Sequence, residues 1–246
     1  MIVVTVPAHN EVRFIEKAVE TLLRETASFE EEFRIVIAED GSTNGTDKIA
    51  QTLADKNPRI VHIHADRKLG RGLALKNAWN QIDADIYVYV DCDLATDMKY
   101  YPELINLVKQ GYDLVTGSRY EKGAKVQRPA LRDFASKIYN IIVRLVFKTQ
   151  VLDHQAGFKA FSKRLVANLL DKCKSTDWFW DTEIIIRARQ EGYKCIEFPV
   201  EWEERRRKKT PITRLAKDIY VHAKGLLKMR LVERDYNKIG QSNERS

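Results

Sequence analysis

The chain has 246 residues, 44% of them hydrophobic, and a formal net charge of +7. That length supports one sizeable core without a second large domain, and no window approaches the roughly 20 apolar residues of a spanning helix, since Ile138 to Phe147 is broken by Tyr139, Asn140 and Arg144. Cys92, Cys173 and Cys195 are odd in number and match no zinc spacing, which excludes a disulfide framework and reads as reduced core thiols; the basic surplus suits nucleic acid, an anionic membrane or phosphorylated substrates equally.

From residue 1 to about residue 118, short β-branched runs alternate with helical patterns, which predicts a parallel sheet with crossover helices. Strands are expected at Ile2 to Val6, Phe33 to Ala38, Arg59 to Ile63, Ile86 to Val90 and Asp113 to Thr116. Helical spacing runs over Val12 to Leu23 and Gly70 to Ile82, and Thr43 is placed to cap a helix through Asp47, Ile49 and Leu53. The opening residues, Met1 to Val6, carry no secretory-signal pattern, so a cytoplasmic origin is expected. After Arg119 the alternation stops. Pro129 stands where a helix can begin, and Phe134, Ala135, Ile138, Ile141, Ile142 and Leu145 form an apolar stripe along it. Helices are expected near Ser162 to Leu170 and Asp181 to Glu191, then a strand at Cys195 to Val200.

The basic run Arg205 to Lys209 reads either as a solvated loop or as a segment closing over a diphosphate or facing anionic lipid. Thr213 to Met229 sets Leu215, Ile219, Ala223, Leu226 and Leu227 against Arg214, Lys217, Lys224 and Lys228, a pattern that core packing and docking on a membrane surface both explain. Asp235 to Ser246 is polar and expected to be disordered.

Ligands of a doubly wound sheet lie at the carboxyl ends of its strands, and three polar clusters fall there. Asp91-Cys92-Asp93 follows Ile86 to Val90, and alternation along an extended segment points both carboxylates to one side, where they can hold one hard divalent cation together with substrate phosphates. Glu39-Asp40-Gly41-Ser42 follows the second strand, with acids able to accept hydrogen bonds from a base or ribose; an ordinary turn and helix cap would read the same way. Pro7-Ala8-His9-Asn10-Glu11 closes the first strand. Further on, Arg132 and Ser136 are one helical turn apart and share a face that Asn140 extends; guanidinium groups pair bidentately with phosphate oxygens, while a solvated basic helix is the plainer reading.

Taken together, Pro7-Ala8-His9-Asn10-Glu11, Glu39-Asp40-Gly41-Ser42, Gly70-Arg71-Gly72 and Asp91-Cys92-Asp93 resemble glycosyltransferase family 2, with its GT-A fold. Gly117-Ser118-Arg119, Arg128-x3-Arg132-x3-Ser136 and Asp153 to Phe161 resemble its polyprenyl-phosphate branch, which includes the dolichyl-phosphate mannose and glucose synthases. The likeness covers roughly residues 1 to 205.

The resemblance implies an α/β GT-A architecture: a Rossmann-like, mostly parallel sheet with helices on both faces and a helical carboxyl-terminal extension. One domain would span 1–232, with a nucleotide-binding half at 1–118, an acceptor-binding half at 119–205 and a basic membrane-proximal segment at 206–232, before a polar tail at 233–246. It implies that Pro7, Ala8, Glu11, Glu39, Asp40, Gly70, Arg71 and Asp91 take the nucleotide, and that Asp91 and Asp93 hold Mg2+ or Mn2+. Arg119, Arg128, Arg132 and Ser136 would take a lipid phosphate, with Asp91, Asp93, Arg119 and Arg132 acting in catalysis. Asp181 and Glu183 resemble the segment bordering the sugar-nucleotide site, or serve as amino-terminal helix partners.

Mannose synthases of this branch often carry Gln two residues after the second Asp; here Ala95 stands there, and Asp93-Leu94-Ala95-Thr96 leans towards the glucosyl members. The implied activity is inverting transfer of a hexose from UDP-glucose or GDP-mannose to a polyprenyl or dolichyl phosphate. It would take place at the cytoplasmic face of a membrane, with a membrane-anchoring partner protein or a homo-oligomer as further expectations. Transfer to a soluble sugar or polysaccharide acceptor is the alternative. A nucleic-acid module is disfavoured because no aromatic-basic interleaving accompanies the charge, and a dinucleotide oxidoreductase because no Gly-x-Gly-x-x-Gly follows the first strand.

Overall fold

The computed structural model describes residues 1–27, 29–206, 223–227 and 229–230. Its elements, in chain order, are β1 (Ile2–Ala8), α1 (Ile15–Thr26), β2 (Phe33–Glu39), α2 (Thr46–Lys56), β3 (Ile60–Ile63), α3 (Arg71–Trp79), β4 (Ile86–Val90), α4 (Tyr101–Lys109), β5 (Leu114–Ser118), β6 (Lys125–Gln127), α5 (Ala130–Phe147), β7 (Phe158–Ser162), α6 (Lys163–Leu169), α7 (Trp180–Gln190), β8 (Cys195–Pro199) and β9 (Glu201–Glu203). The chain divides into two units, residues 1–206 and 207–246. In the second, residues 223–227 and 229–230 are helical; most of the amphipathic stretch at 213–229, the basic residues 207–209 and the polar tail lie outside the described residues. No helix among the described residues is long and apolar enough to cross a membrane.

Seven strands form one sheet in the order β3-β2-β1-β4-β7-β5-β8. Every pair is parallel except those of β7, which runs against both β4 and β5. Parallel strands covered on both faces read as continuous apolar runs rather than alternating ones, and the two faces here divide each run by period two. Val4, Val6, Ile35, Ile37, Val88 and Val90 pack with Ile15, Leu22, Tyr101 and Leu104 of α1 and α4. Val3, Val36, Tyr87 and Tyr89 pack on the other side with Leu75, Leu165, Trp180 and Ile184 of α3, α6 and α7. A small parallel pair, β6 with β9, stands apart from the main sheet.

Three local expectations need correcting. The cap of α2 is Gly45, at φ 94°, rather than Thr43, and the Asn44 side chain accepts hydrogen bonds from both the backbone N–H and the hydroxyl of Thr46. Strand β7 was not expected: Lys159, the second of its five residues, interrupts the apolar run. The α5 stripe faces outward: Leu131, Phe134, Ile138, Ile141, Ile142 and Leu145 are all exposed, while Asn140, Val143 and Phe147 are buried.

Asn140 is buried because it organises the turn before β7. Its side-chain oxygen accepts from the backbone N–H of His154 at 2.9 Å and pairs with Nδ1 of the ring at 2.8 Å, while Nε2 pairs with the Thr149 hydroxyl at 2.8 Å. A neutral ring satisfies both contacts by donating from Nδ1 and accepting at Nε2. Burial lowers the pKa of His154 to about 3, against the opposing pull of Asp153. An unfolded imidazole titrates near 6.5, so from about pH 6.5 down to 3 the unfolded chain binds one more proton than the folded chain. Stability from this group is then fully present above about pH 6.5 and falls by about 1.4 kcal/mol per pH unit below it. Denaturant titrations at pH 7 and pH 5 should show a smaller loss in His154→Gln than in the parent chain; an unchanged difference would contradict this assignment.

Candidate active site

The sheet order reverses beside β1, whose neighbours are β2 on one side and β4 on the other, so the crevice for a ligand opens beyond the carboxyl ends of β1 and β4. Pro7 and Ala8 end β1, and Asp91 to Asp93 leave β4 in a turn. Leu94 has φ 47°, a left-handed conformation that costs a β-carbon residue on the order of 1 kcal/mol. Its side chain is buried in the core and pins the turn. Asp93 is held from below by the N–H of Ala95, which donates to Oδ1 at 3.2 Å.

Asp91 is fixed from two sides. Its N–H donates to the carbonyl of Gly157 at 2.9 Å, and its Oδ1 accepts from Arg71 at 3.0 Å. A β-carbon on Gly157 would lie 1.8 Å from Asp91 Oδ2, so only glycine leaves the carboxylate its place. Arg71 also reaches Asp181 with its other terminal nitrogen and lies 3.8 Å from the centre of the Trp178 ring. Behind them the fully buried Lys159 places Nζ 2.9 Å from Asp181 and near the Tyr89 hydroxyl. Two cations and two carboxylates therefore form a neutral cluster beneath the crevice. Burial opposes the charge on Arg71 and Lys159 alike; Asp181 is the chief counterweight for both, raising the pKa of Arg71, whereas Lys159 remains lowered.

Glu11, Asp91 and Asp93 converge above this cluster. Burial raises the pKa of Glu11 and of Asp91; the facing carboxylates raise both further, while Arg206 opposes this at Glu11 and Arg71 at Asp91. A guanidinium already sits among these acids: Arg206 lies 2.5 Å from Asp93 Oδ2 and 2.7 Å from Glu11 Oε1. Carboxylate oxygens at Asp91 and Asp93 are hard donors of the kind that Mg2+ or Mn2+ takes, one or two at a time, together with substrate phosphates.

Glu39 and Asp40 are turned inward. Glu39 is 1% exposed, accepting from the Ser42 N–H at 2.5 Å through one oxygen and pairing with His64 at 2.6 Å through the other. Both of its oxygens are thus engaged within the protein. Asp40 accepts from the N–H groups of Leu69 and Gly70, which sets the turn into α3 and aims Arg71. Glu39, His62 and His64 also bring ligand atoms within 4.8 Å of one another, but Glu39 and His64 are paired together and His62 Nδ1 is paired with Gln51.

A second cluster gathers around Trp202 of β9. Arg119 and Arg128 each place the guanidinium carbon 5.5 Å from its ring centre, and a bridge to Thr96 ties Trp202 to the segment that follows Asp93. Arg119 is committed elsewhere. Its Nε and one terminal nitrogen meet the buried Asp153 at 2.7 and 2.8 Å, so its charge is compensated within the protein. Arg128 donates to Ser136 at 3.0 Å, and Arg132 lies 2.5 Å from Glu204. Burial lowers the pKa of Arg128, and the nearby charges of Arg119 and Arg132 lower it further. With Arg119 matched by Asp153 and Arg132 by Glu204, Arg128 is the cation of this group that makes no salt bridge among the described residues.

Glu183 takes no part in either cluster. It accepts from the N–H groups of Lys174 and Ser175 and from Arg187, anchoring the loop ahead of α7. Lys159, Gly157 and Trp202 are residues whose places sequence reasoning did not assign, whereas Arg206 belongs to the basic run that was read as either a solvated loop or a segment closing over the site. A buried lysine beside an acidic residue one helix later carries no spacing signature, and Trp202 lies in a three-residue strand.

Residues 3–170 match the model of glycosyl transferase family 2, and the chain belongs to that family. It is 42% identical over 214 residues to Glycosyltransferase AglD of Haloferax volcanii, covering 86% of this chain and 34% of that protein. It is 28% identical to Dolichyl-phosphate beta-glucosyltransferase ALG5C of Trichomonas vaginalis, covering 81% of this chain and 63% of that one. The chain thus spans from about a third to just under two-thirds of these relatives. Among solved structures, glucosyl-3-phosphoglycerate synthase from Mycobacterium tuberculosis in complex with UDP superposes with a TM-score of 0.70 at 19% identity, covering 94% of this chain and 80% of that one. Mannosyltransferase PcManGT from Pyrobaculum calidifontis, in complex with GDP-Man and Mn2+, gives 0.59 at 22% identity, covering 85% and 57%. The fold is GT-A, as the sequence resemblance implied.

Proposed function

We propose that this chain transfers a hexose, with inversion, from a nucleotide sugar to a polyprenyl phosphate at a membrane surface. The observation that carries this reading is the two-sidedness of α5. Its inner face brings Arg132 and Ser136 to the cationic cluster, and its outer face leaves six large apolar residues uncovered. A phosphate seated among Arg128, Arg132 and Ser136 would have its hydrocarbon chain beside a helix face that water solvates poorly. The names of the relatives from Trichomonas vaginalis support a dolichyl-phosphate acceptor, and together with Ala95-Thr96 they favour glucose over mannose.

Mechanistically, a phosphate monoester is already largely ionised near neutral pH, its second pKa being about 6, and needs no dedicated base. Its oxygen forms the new bond to the anomeric carbon while the bond to the diphosphate oxygen breaks, and the electron pair leaves with the nucleoside diphosphate. Arg128 and Arg132 orient the attacking phosphate, while Arg71, braced by Asp181, fixes Asp91 at the leaving-group side. A divalent cation held by Asp91 and Asp93 would neutralise charge on the departing diphosphate.

Arg132→Ala is expected to raise KM for a short-chain polyprenyl phosphate at least about tenfold, the loss of one charge-assisted contact, with KM for the nucleotide sugar changed less than about twofold. Initial rates with radiolabelled UDP-glucose and GDP-mannose across lipid and soluble acceptors measure this. Equal effects on both substrates, or better turnover of a soluble acceptor, would sink the reading. Vesicle flotation adds a second arm: Ile141→Glu with Leu145→Glu should release the protein from anionic vesicles while leaving its melting temperature unchanged.

A further inference from the structure

We propose that Arg206 is a resident counter-cation, which holds Asp93 closed to a divalent metal in the free protein and gives it up only when the diphosphate of the sugar nucleotide arrives. This deepens the reading above and rests on it.

The geometry is specific. Arg206 follows β9 and reaches back across the crevice mouth. Nε meets Asp93 Oδ2 at 2.5 Å, NH1 meets Glu11 Oε1 at 2.7 Å, and the guanidinium lies 5.5 Å from the centre of the Phe14 ring. Arg205 alongside directs a terminal nitrogen at the backbone carbonyl of Asp93, 3.5 Å away. Glu11 follows β1 and Asp93 follows β4, so one side chain ties together both walls of the site. The acids are nearly buried, with side chains 11% and 8% exposed, whereas Arg206 is 42% exposed. The acids are therefore fixed parts of the wall, and the cation is the part with room to leave.

Arg206 and a metal compete for the same oxygen. A divalent ion of this type sits about 2.0–2.1 Å from its carboxylate ligands, inside the space between Asp93 Oδ2 and the Arg206 Nε. A metal arriving alone must displace a guanidinium that then keeps Glu11 as its one carboxylate partner. A metal arriving with a diphosphate meets a different balance, because phosphate oxygens offer that guanidinium a bidentate, charge-assisted partner in exchange. Metal and nucleotide then help one another to bind, and by linkage the help is reciprocal. Part of any such synergy comes from phosphate oxygens on the metal itself; the part due to Arg206 is removed by changing that one residue.

Manganese binding to the full chain, followed by the loss of the free-ion EPR signal and by calorimetry, tests this with and without UDP and independently of turnover. Without nucleotide, Arg206→Gln is expected to bind Mn2+ at least five times more tightly than the parent chain. Without metal it should bind UDP more weakly, so the factor by which UDP strengthens Mn2+ binding falls. Adding Asp93→Asn to Arg206→Gln should abolish the gain, which separates Asp93 from any other manganese site. Equal or weaker Mn2+ binding in Arg206→Gln, with both proteins still taking Mn2+ and UDP together, overturns the role of Arg206 alone. Failure of both proteins to bind Mn2+ even with UDP overturns this inference and the proposed function together. Melting temperatures of the variants without ligand guard against misfolding, and Arg206→Lys, which keeps the charge, should restore most of the parent behaviour.

Discussion

Asp93→Asn is expected to lower kcat by about 10^3-fold or more, in line with the loss of a principal electrostatic contact at a leaving group, while the chain melts within a few degrees of the parent. The two halves of that expectation have separate causes. Asp93 lies beyond the end of β4, and its salt bridge is to the half-exposed Arg206, so the contribution of the pair to folding is modest. On the proposed function its carboxylate is one of two that would hold a cation against the diphosphate, and an amide cannot supply that charge. Steady-state rates and thermal melts on one preparation decide the matter. Transfer by Asp93→Asn within tenfold of the parent, in the presence of a chelator, would remove the metal from the mechanism.

The largest effect on stability is expected at Asp181, which is fully buried between Arg71 and Lys159. Asp181→Leu leaves two buried cations facing Asp91 alone, and breaking a buried ion pair by removing one partner costs about 3–5 kcal/mol. Lys159→Met errs in the other direction, leaving Arg71 between two carboxylates. Combining the two restores a one-to-one balance of Arg71 with Asp91, and apolar groups of similar volume replace the lost pair. The double variant should therefore be more stable than Asp181→Leu alone, with a coupling energy above about 1 kcal/mol in urea titrations. Additive losses would show that the cluster is not electrostatically coupled. Transfer should remain impaired in the double variant, because Arg71 has lost the brace that orients it towards Asp91.

Sequence reasoning performed well where a physical signal was continuous. Strand β4 has the ends expected, and β1, β2 and β8 lie within two residues of theirs, because buried β-branched runs admit few other conformations. The Asp91-Cys92-Asp93 cluster was placed at the rim by topology alone, since any residue leaving β4 must emerge beside β1. Reasoning failed where a residue's partner lies far along the chain. The pairing of Arg119 with Asp153, and that of Glu39 with His64, engage these candidate ligands within the protein and had no signature in the sequence. The α5 stripe was legible as amphipathic; its facing was not, because periodicity marks a face and leaves the neighbour unnamed. That neighbour was decided by Asn140, whose hydrogen bonds to His154 draw the polar side inward.

The reversed direction of β7 gives the molecule a mechanical property of its own. A parallel strand would bring its trailing residues to the rim; this one brings its leading residues, so the short segment between α5 and β7 enters the site from behind. That segment grips Arg119 through Asp153 and cradles Asp91 through Gly157. Lengthening or shortening it by one residue would therefore move Arg119 and Asp91 together, since one stretch of backbone holds both.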